Sequence, residues 1–129
     1  MSNLLNMRVQ LADLANLEDG WYCGNQGRQL PKSGIEWLIE SWDRFCPADL
    51  QLPFLCATLE GNVRSEWFLG ELEISLEIDL KDFSGIYSMI DRSTYRKSQN
   101  KELMFDLKND HGWVKLFKRL RRCLLIDSL

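Results

Sequence analysis

The chain predicts an α+β fold: a four- to five-stranded antiparallel meander, with two N-terminal helices and one C-terminal helix packed on its apolar face. Three observations carry that expectation. Residues 71–80 alternate strictly, with Leu72, Ile74, Leu76, Ile78 and Leu80 on one side and Glu71, Glu73, Ser75, Glu77 and Asp79 on the other. A period of two over ten residues marks a strand with one face buried and one in water. Towards both ends of the chain, apolar residues recur instead at three- and four-residue spacing, the helical period. Short turn signals separate the candidate strands, and consecutive strands joined by tight turns pair with each other.

The elements follow in order. A first helix is expected over residues 3–16, where Leu4, Met7, Leu11 and Leu14 line one stripe before Asp19-Gly20. Residues 18–32 are turn-rich, with Gly20, Gly24 and Gly27 around Trp21 and Tyr22. These glycines do not make a phosphate loop, since no strand precedes them and no Gly-Lys-Ser/Thr follows. A second helix opens at Ser33, whose spacing from Glu36 is that of a capping box. Ile35, Leu38, Ile39, Trp42 and Phe45 form its apolar face, and Cys46-Pro47 ends it, because proline disfavours helical geometry in the residue before it.

Residues 54–59 are apolar on both faces and read as a covered or central strand. Glu60-Gly61-Asn62 is a hairpin turn, and residues 63–68 return. With Leu69-Gly70 as a two-residue turn, Phe68 pairs with Glu71, Trp67 with Leu72, and Glu66 with Glu73. A fourth strand is expected over 85–90, a mobile polar loop over 91–101, and a short fifth strand over 102–107. Asn109 or Asp110 caps a last helix whose buried stripe is Trp113, Leu116, Phe117, Leu120 and Leu124.

A chain of 129 residues with 45% hydrophobic and 27% charged residues suits a single domain, 1–129. Residues 1–7 lack the pattern of a signal peptide, and no apolar run is long enough to span a bilayer. Cys23, Cys46, Cys56 and Cys123 are scattered without a Cys-x-x-Cys pair. They read as reduced thiols in a cytoplasmic protein, and neither as a disulfide framework nor as a zinc site. No cofactor is implied.

Charge is divided unevenly. Residues 1–91 hold 6 Lys/Arg against 15 Asp/Glu, whereas residues 92–129 hold 10 against 4. Two charged surfaces result. Glu66, Glu71, Glu73, Glu77 and Asp79 share one sheet face, with Arg64 and Phe68 among them, suited to a basic protein partner or, alternatively, to a divalent ion in a nuclease-like enzyme. Lys115, Lys118, Arg119, Arg121 and Arg122 lie opposite the apolar stripe of the last helix, where an acidic protein or a phosphate backbone would fit. Cations late in a helix also suit its macrodipole. No helix-turn-helix or RNP motif accompanies them, and the pI near 5.2 speaks against nucleic acid as the main partner. His111 is the one histidine, and no Ser or Cys nucleophile motif is matched to it. The residues therefore favour a non-enzymatic interaction protein whose partner is another protein. A homodimer is left open.

The segments LEDGWYCGNQG (17–27), LQLPFLCATLEG (50–61), SEWFLGELEISLEIDL (65–80) and GIY (85–87) resemble a family of small bacterial proteins. That family has a Trp-Gly opening motif, a proline-rich approach to the first strand, a Glu-Trp pair and a Leu-Glu-Ile strand. The similarity covers residues 11–88, and around Trp21 it departs from the family pattern, which often has an acid where Tyr22 or Cys23 stands. Some members sit on mobile or accessory genome segments. The resemblance implies the same fold, a bacterial origin and an antitoxin-like or immunity and defence role, and it implies no reaction.

Overall fold

The computed structural model describes residues 2–93 and 101–126, with side chains over 6–93 and 102–124. Helices α1 (Ser2–Ala15) and α2 (Lys32–Phe45) precede five strands, and α3 (Asp110–Ile126) follows them. The strands are β1 (Phe54–Ala57), β2 (Val63–Leu69), β3 (Leu72–Asp79), β4 (Ser84–Asp91) and β5 (Lys101–Asp106). They lie in chain order, each antiparallel to the next. This is the meander expected from the alternation and the turns. Most of the expected loop, with Arg96 and Lys97, lies outside the described residues, as does the Leu4 side chain.

One face of the sheet carries the core. Val63, Trp67, Ile74, Leu76, Ile78 and Tyr87 point inward and are buried, and the helices close over them with Met7, Leu11, Leu38, Trp42, Trp113, Leu116, Phe117 and Leu120. Aromatic rings bridge the layers. Trp42 of α2 stacks on Trp67 of β2 at 6.4 Å between centroids and meets Phe117 of α3 edge-on at 5.1 Å. Such pairs add about 0.5–1.5 kcal/mol each beyond their buried area.

Two glycines set how closely the helices approach. A Cβ on Gly34 would lie 2.7 Å from the Leu80 Cβ, so α2 rests directly on the end of β3. A Cβ on Gly112 would lie 1.6 Å from the Asp106 carbonyl oxygen, which no L side chain tolerates. The first turn of α3 thus packs backbone to backbone on β5. Asn109 caps that turn, accepting the Gly112 N–H at 3.0 Å, and the Trp113 indole N–H donates to Leu107 O at 3.1 Å.

Three expectations are corrected. Helix α2 begins a residue before Ser33, with Pro31 as its cap and no side-chain capping bond. Pro31 is extended, with φ −64° and ψ 125°, so helical geometry starts at Lys32 and Ser33 lies within the first turn. Strand β1 is an edge and not a central strand: its apolar outward residues, Phe54 and Cys56, are exposed. The β2–β3 turn consists of Gly70-Glu71, so Leu69 pairs with Leu72, Phe68 with Glu73, and Glu66 with Ser75. Gly70 has φ +58°, a left-handed conformation suited to a two-residue hairpin turn. The slip is by an even number of residues, so every side chain keeps its face while each gains a different neighbour.

The segment before α2 is tied down by its backbone. Gly20 N–H donates to Gly27 O and Tyr22 N–H to Gln26 O, both at 2.7 Å, while Trp21 Nε1 donates to Arg28 O at 2.9 Å. Arg28 N–H in turn donates to Leu59 O at 2.9 Å, which fastens this loop to the β1–β2 connection.

Candidate functional site on the outer face of the sheet

The register builds the outer face row by row. Phe54, Glu66, Ser75, Ser88 and Glu102 cross the sheet as one row, and Cys56, Arg64, Glu77, Ile86 and Met104 as the next. Phe68, Glu73 and Ile90 form a shorter row at one end. Among the described residues no helix packs on this side.

The predicted carboxylates are brought to this face with one exception, and they are not stacked against one another. Glu66 stands opposite Ser75 and lies 3.7 Å from the Arg64 Nε, and Glu77 pairs across the strands with Arg64. Glu73 accepts a hydrogen bond from the Arg92 guanidinium at 2.6 Å. Asp79 serves the β3–β4 turn, where its Oδ1 accepts the N–H groups of Lys81 and Asp82, both at 2.9 Å. Glu71 is the exception: it sits exposed in the turn, where its backbone carbonyl accepts the Arg92 N–H at 2.9 Å. Glu66 and Glu73 do not stand directly opposite one another, because the turn lies one residue further along. Among the described residues no three His, Cys, Asp or Glu side chains gather as metal ligands.

Beyond Phe68, which the sequence places on this face, large apolar side chains are the feature that the sequence reading missed. Phe54 is 71% exposed, Phe68 50% and Met104 75%, with Ile86 and Ile90 exposed beside them. The Phe54 and Phe68 rings meet at 6.1 Å. They flank the carboxylates on the β1–β2 side, and Ile86, Ile90 and Met104 flank them on the β4–β5 side. The signal was available in the alternation of residues 85–90, which points Ile86 and Ile90 to the side opposite Tyr87. Cys56 belongs to this surface too, its thiol pushed above its ordinary value by burial and then by the Glu66 carboxylate.

The basic helix is less uniform than predicted. Lys115, Lys118 and Arg122 are exposed along α3. Arg121 pairs with Asp49 at 3.0 Å. Arg119 turns back towards the sheet, its guanidinium 5.8 Å from the centre of the Tyr87 ring. It therefore leaves the exposed face, because at this position the helix meets the margin of the core. Beneath it the Tyr87 hydroxyl and the Cys123 thiol lie 3.2 Å apart. His111 is exposed at the start of α3, beside the cap.

No helix among the described residues is long and apolar enough to cross a membrane. No family model, curated protein or solved structure matches this chain.

Proposed function

We propose that this protein is a non-enzymatic interaction module that binds another protein through the outer face of its sheet. One observation carries the reading: Phe54, Phe68, Ile86, Ile90 and Met104 stand exposed around Glu66, Glu73 and Glu77 on a face over which no helix lies among the described residues. Exposed apolar side chains gathered on one surface mark interaction sites, and apolar anchors interleaved with charge are the usual anatomy of such a site. The carboxylates outnumber Arg64 and Arg92 here, so the matching partner presents an apolar patch ringed by Lys and Arg. An antitoxin-like or immunity and defence role fits a small charged binding partner of this kind. A cytoplasmic setting is supported by four cysteines that are all free.

The nucleic-acid reading has less support, since Arg119 and Arg121 are already engaged within the fold. The metal-enzyme reading lacks a ligand cluster among the described residues.

The test begins with capture of the partner from the source organism by the wild-type protein, followed by reconstitution of the purified pair. Phe68→Ser and Glu73→Lys should each weaken that binding at least about tenfold, as loss of a central anchor or a matched charge does. Lys118→Glu should leave it unchanged. Equal binding by the two sheet variants, or loss of binding only with Lys118→Glu, rejects the reading.

A further inference from the structure

The two edges of the sheet differ. Strand β1 is four residues long, follows Pro53 directly, and runs beside α1. Short length and a flanking proline are ways in which an edge is kept from pairing. Strand β5 has six residues, pairs with β4 in unbroken register from Lys101 to Asp106, and contains neither proline nor bulge. Among the described residues no strand lies on its other side. Its middle is apolar on both faces, with Leu103 37% and Met104 75% exposed. A shallow cleft of about 340 Å³ lies between β5 and the first turn of α3, lined by Leu103, Phe105, Gly112, His111 and Lys115 among others.

We propose that β5 is a dimerisation edge, and that its occupant is the β5 strand of a second copy, paired antiparallel about a two-fold axis perpendicular to the sheet. Such an axis keeps like faces together, so even-numbered residues must face even-numbered ones and odd must face odd. Centred on Leu103, the pairing sets Leu103 against Leu103 of the other copy, Lys101 against Phe105, and Glu102 against Met104. No like charges stand opposite each other. Centred on Met104, it would set Glu102 against Asp106, a repulsive pair. The strand's own charges thus select the Leu103-centred register. On the inner face the Leu103 pair lies beside the cleft. On the outer face each Met104 stands opposite Glu102 of the other copy, with the two Met104 side chains diagonal neighbours across the axis, and the result is a continuous ten-stranded sheet.

Light scattering on the purified protein should give twice the chain mass at micromolar concentration. Leu103→Lys sets two ammonium groups face to face and should yield a monomer with an unchanged circular dichroism spectrum, and Leu103→Glu should do the same. Mixing the two variants should restore a dimer containing one of each, which only a contact of residue 103 with itself produces. Hydrogen exchange should show the β5 amides that point away from β4 slow in the wild type and fast in either variant alone. A wild-type monomer at high micromolar concentration overturns the proposal, as does a dimer that survives Leu103→Lys or dissolves with Phe68→Ser instead. Should Leu103→Lys unfold the chain, the exchange pattern of the wild type and the dimerisation of Met104→Glu, which sets a second carboxylate against Glu102 of the other copy, decide: fast exchange of the β5 amides that point away from β4, or an unaffected Met104→Glu dimer, rejects the pairing.

Discussion

Strand β3 presents two surfaces of the same eight residues that meet opposite environments. Ile74, Leu76 and Ile78 lie at 0% exposure under three helices, while Glu73, Ser75, Glu77 and Asp79 on the reverse side are only half-buried. The inner surface is where folding free energy is made, through apolar area removed from water and closely packed rings. The outer surface contributes little to folding, so its residues are free to serve recognition. The difference is clearest in the aromatic residues. Trp67 and Phe68 are chain neighbours, yet Trp67 is 1% exposed and donates its indole N–H to Gln51 O at 2.8 Å, whereas Phe68 is half in solvent.

The division can be broken at its strongest point. Trp67→Ala should cost about 3–5 kcal/mol, since it removes a buried ring that stacks on Trp42; a denaturant titration measures it, and a loss below 1 kcal/mol would show that the inner face is not the seat of stability. Ser65 provides a gentler test with the opposite sign. It is fully buried on the inner side of β2, and among the described residues its hydroxyl has no hydrogen-bond partner. Ser65→Ala should raise stability by about 1 kcal/mol, the cost of an unpaired buried hydroxyl. A fall instead would mean that the hydroxyl is satisfied in solution.

Titration sharpens the comparison further. Burial pushes the Cys46 thiol from 9.0 up to about 12, partly offset by the Trp42 side chain and reinforced by Asp49 and Asp43. Burial and the Cys123 thiol likewise push the Tyr87 phenol up. Between pH 9 and 12 the folded state holds a proton that the unfolded chain has lost, so stability falls as pH rises through that window. Thermal melts from pH 8 to 11 should show this decline, and it should flatten in Cys46→Ala and Tyr87→Phe. The solvent reaching Cys46 keeps the effect small, and a melting temperature independent of pH would exclude it. Smallest of all is the change expected on the outer face: Phe68→Ser should shift stability by no more than about 0.5 kcal/mol, as exposed positions do. A loss of several kcal/mol would place Phe68 in the core and remove it from the proposed binding surface.

Much of this molecule was legible in its residues alone. Periodicity is a local property, so the alternation of residues 71–80, the stripes of α2 and α3, and the cap signal at Asn109 or Asp110 identified their elements without reference to any partner. The faces were legible for the same reason, because the parity of a strand survives an even slip in register. The pairing of Glu66 with Ser75 was not, since it depends on which two residues make the turn, and Gly70 leaves both choices open to local reasoning. The exposure of β1 also escaped, because an apolar strand looks the same at the centre of a sheet and at its edge.

Sequence by itself determined the element order, the inner and outer faces and the acidic character of one of them. Tertiary structure decided the neighbours. It placed Phe54 beside Phe68, set Arg64 and Arg92 against the carboxylates, drew Arg119 to Tyr87, and left β5 with one side unpaired among the described residues. The reason is physical: which side of a helix or strand is apolar follows from spacing within a few residues. Which side chains touch follows from packing among segments distant in the chain, where a Cβ at Gly34 or Gly112 would be enough to keep two elements apart.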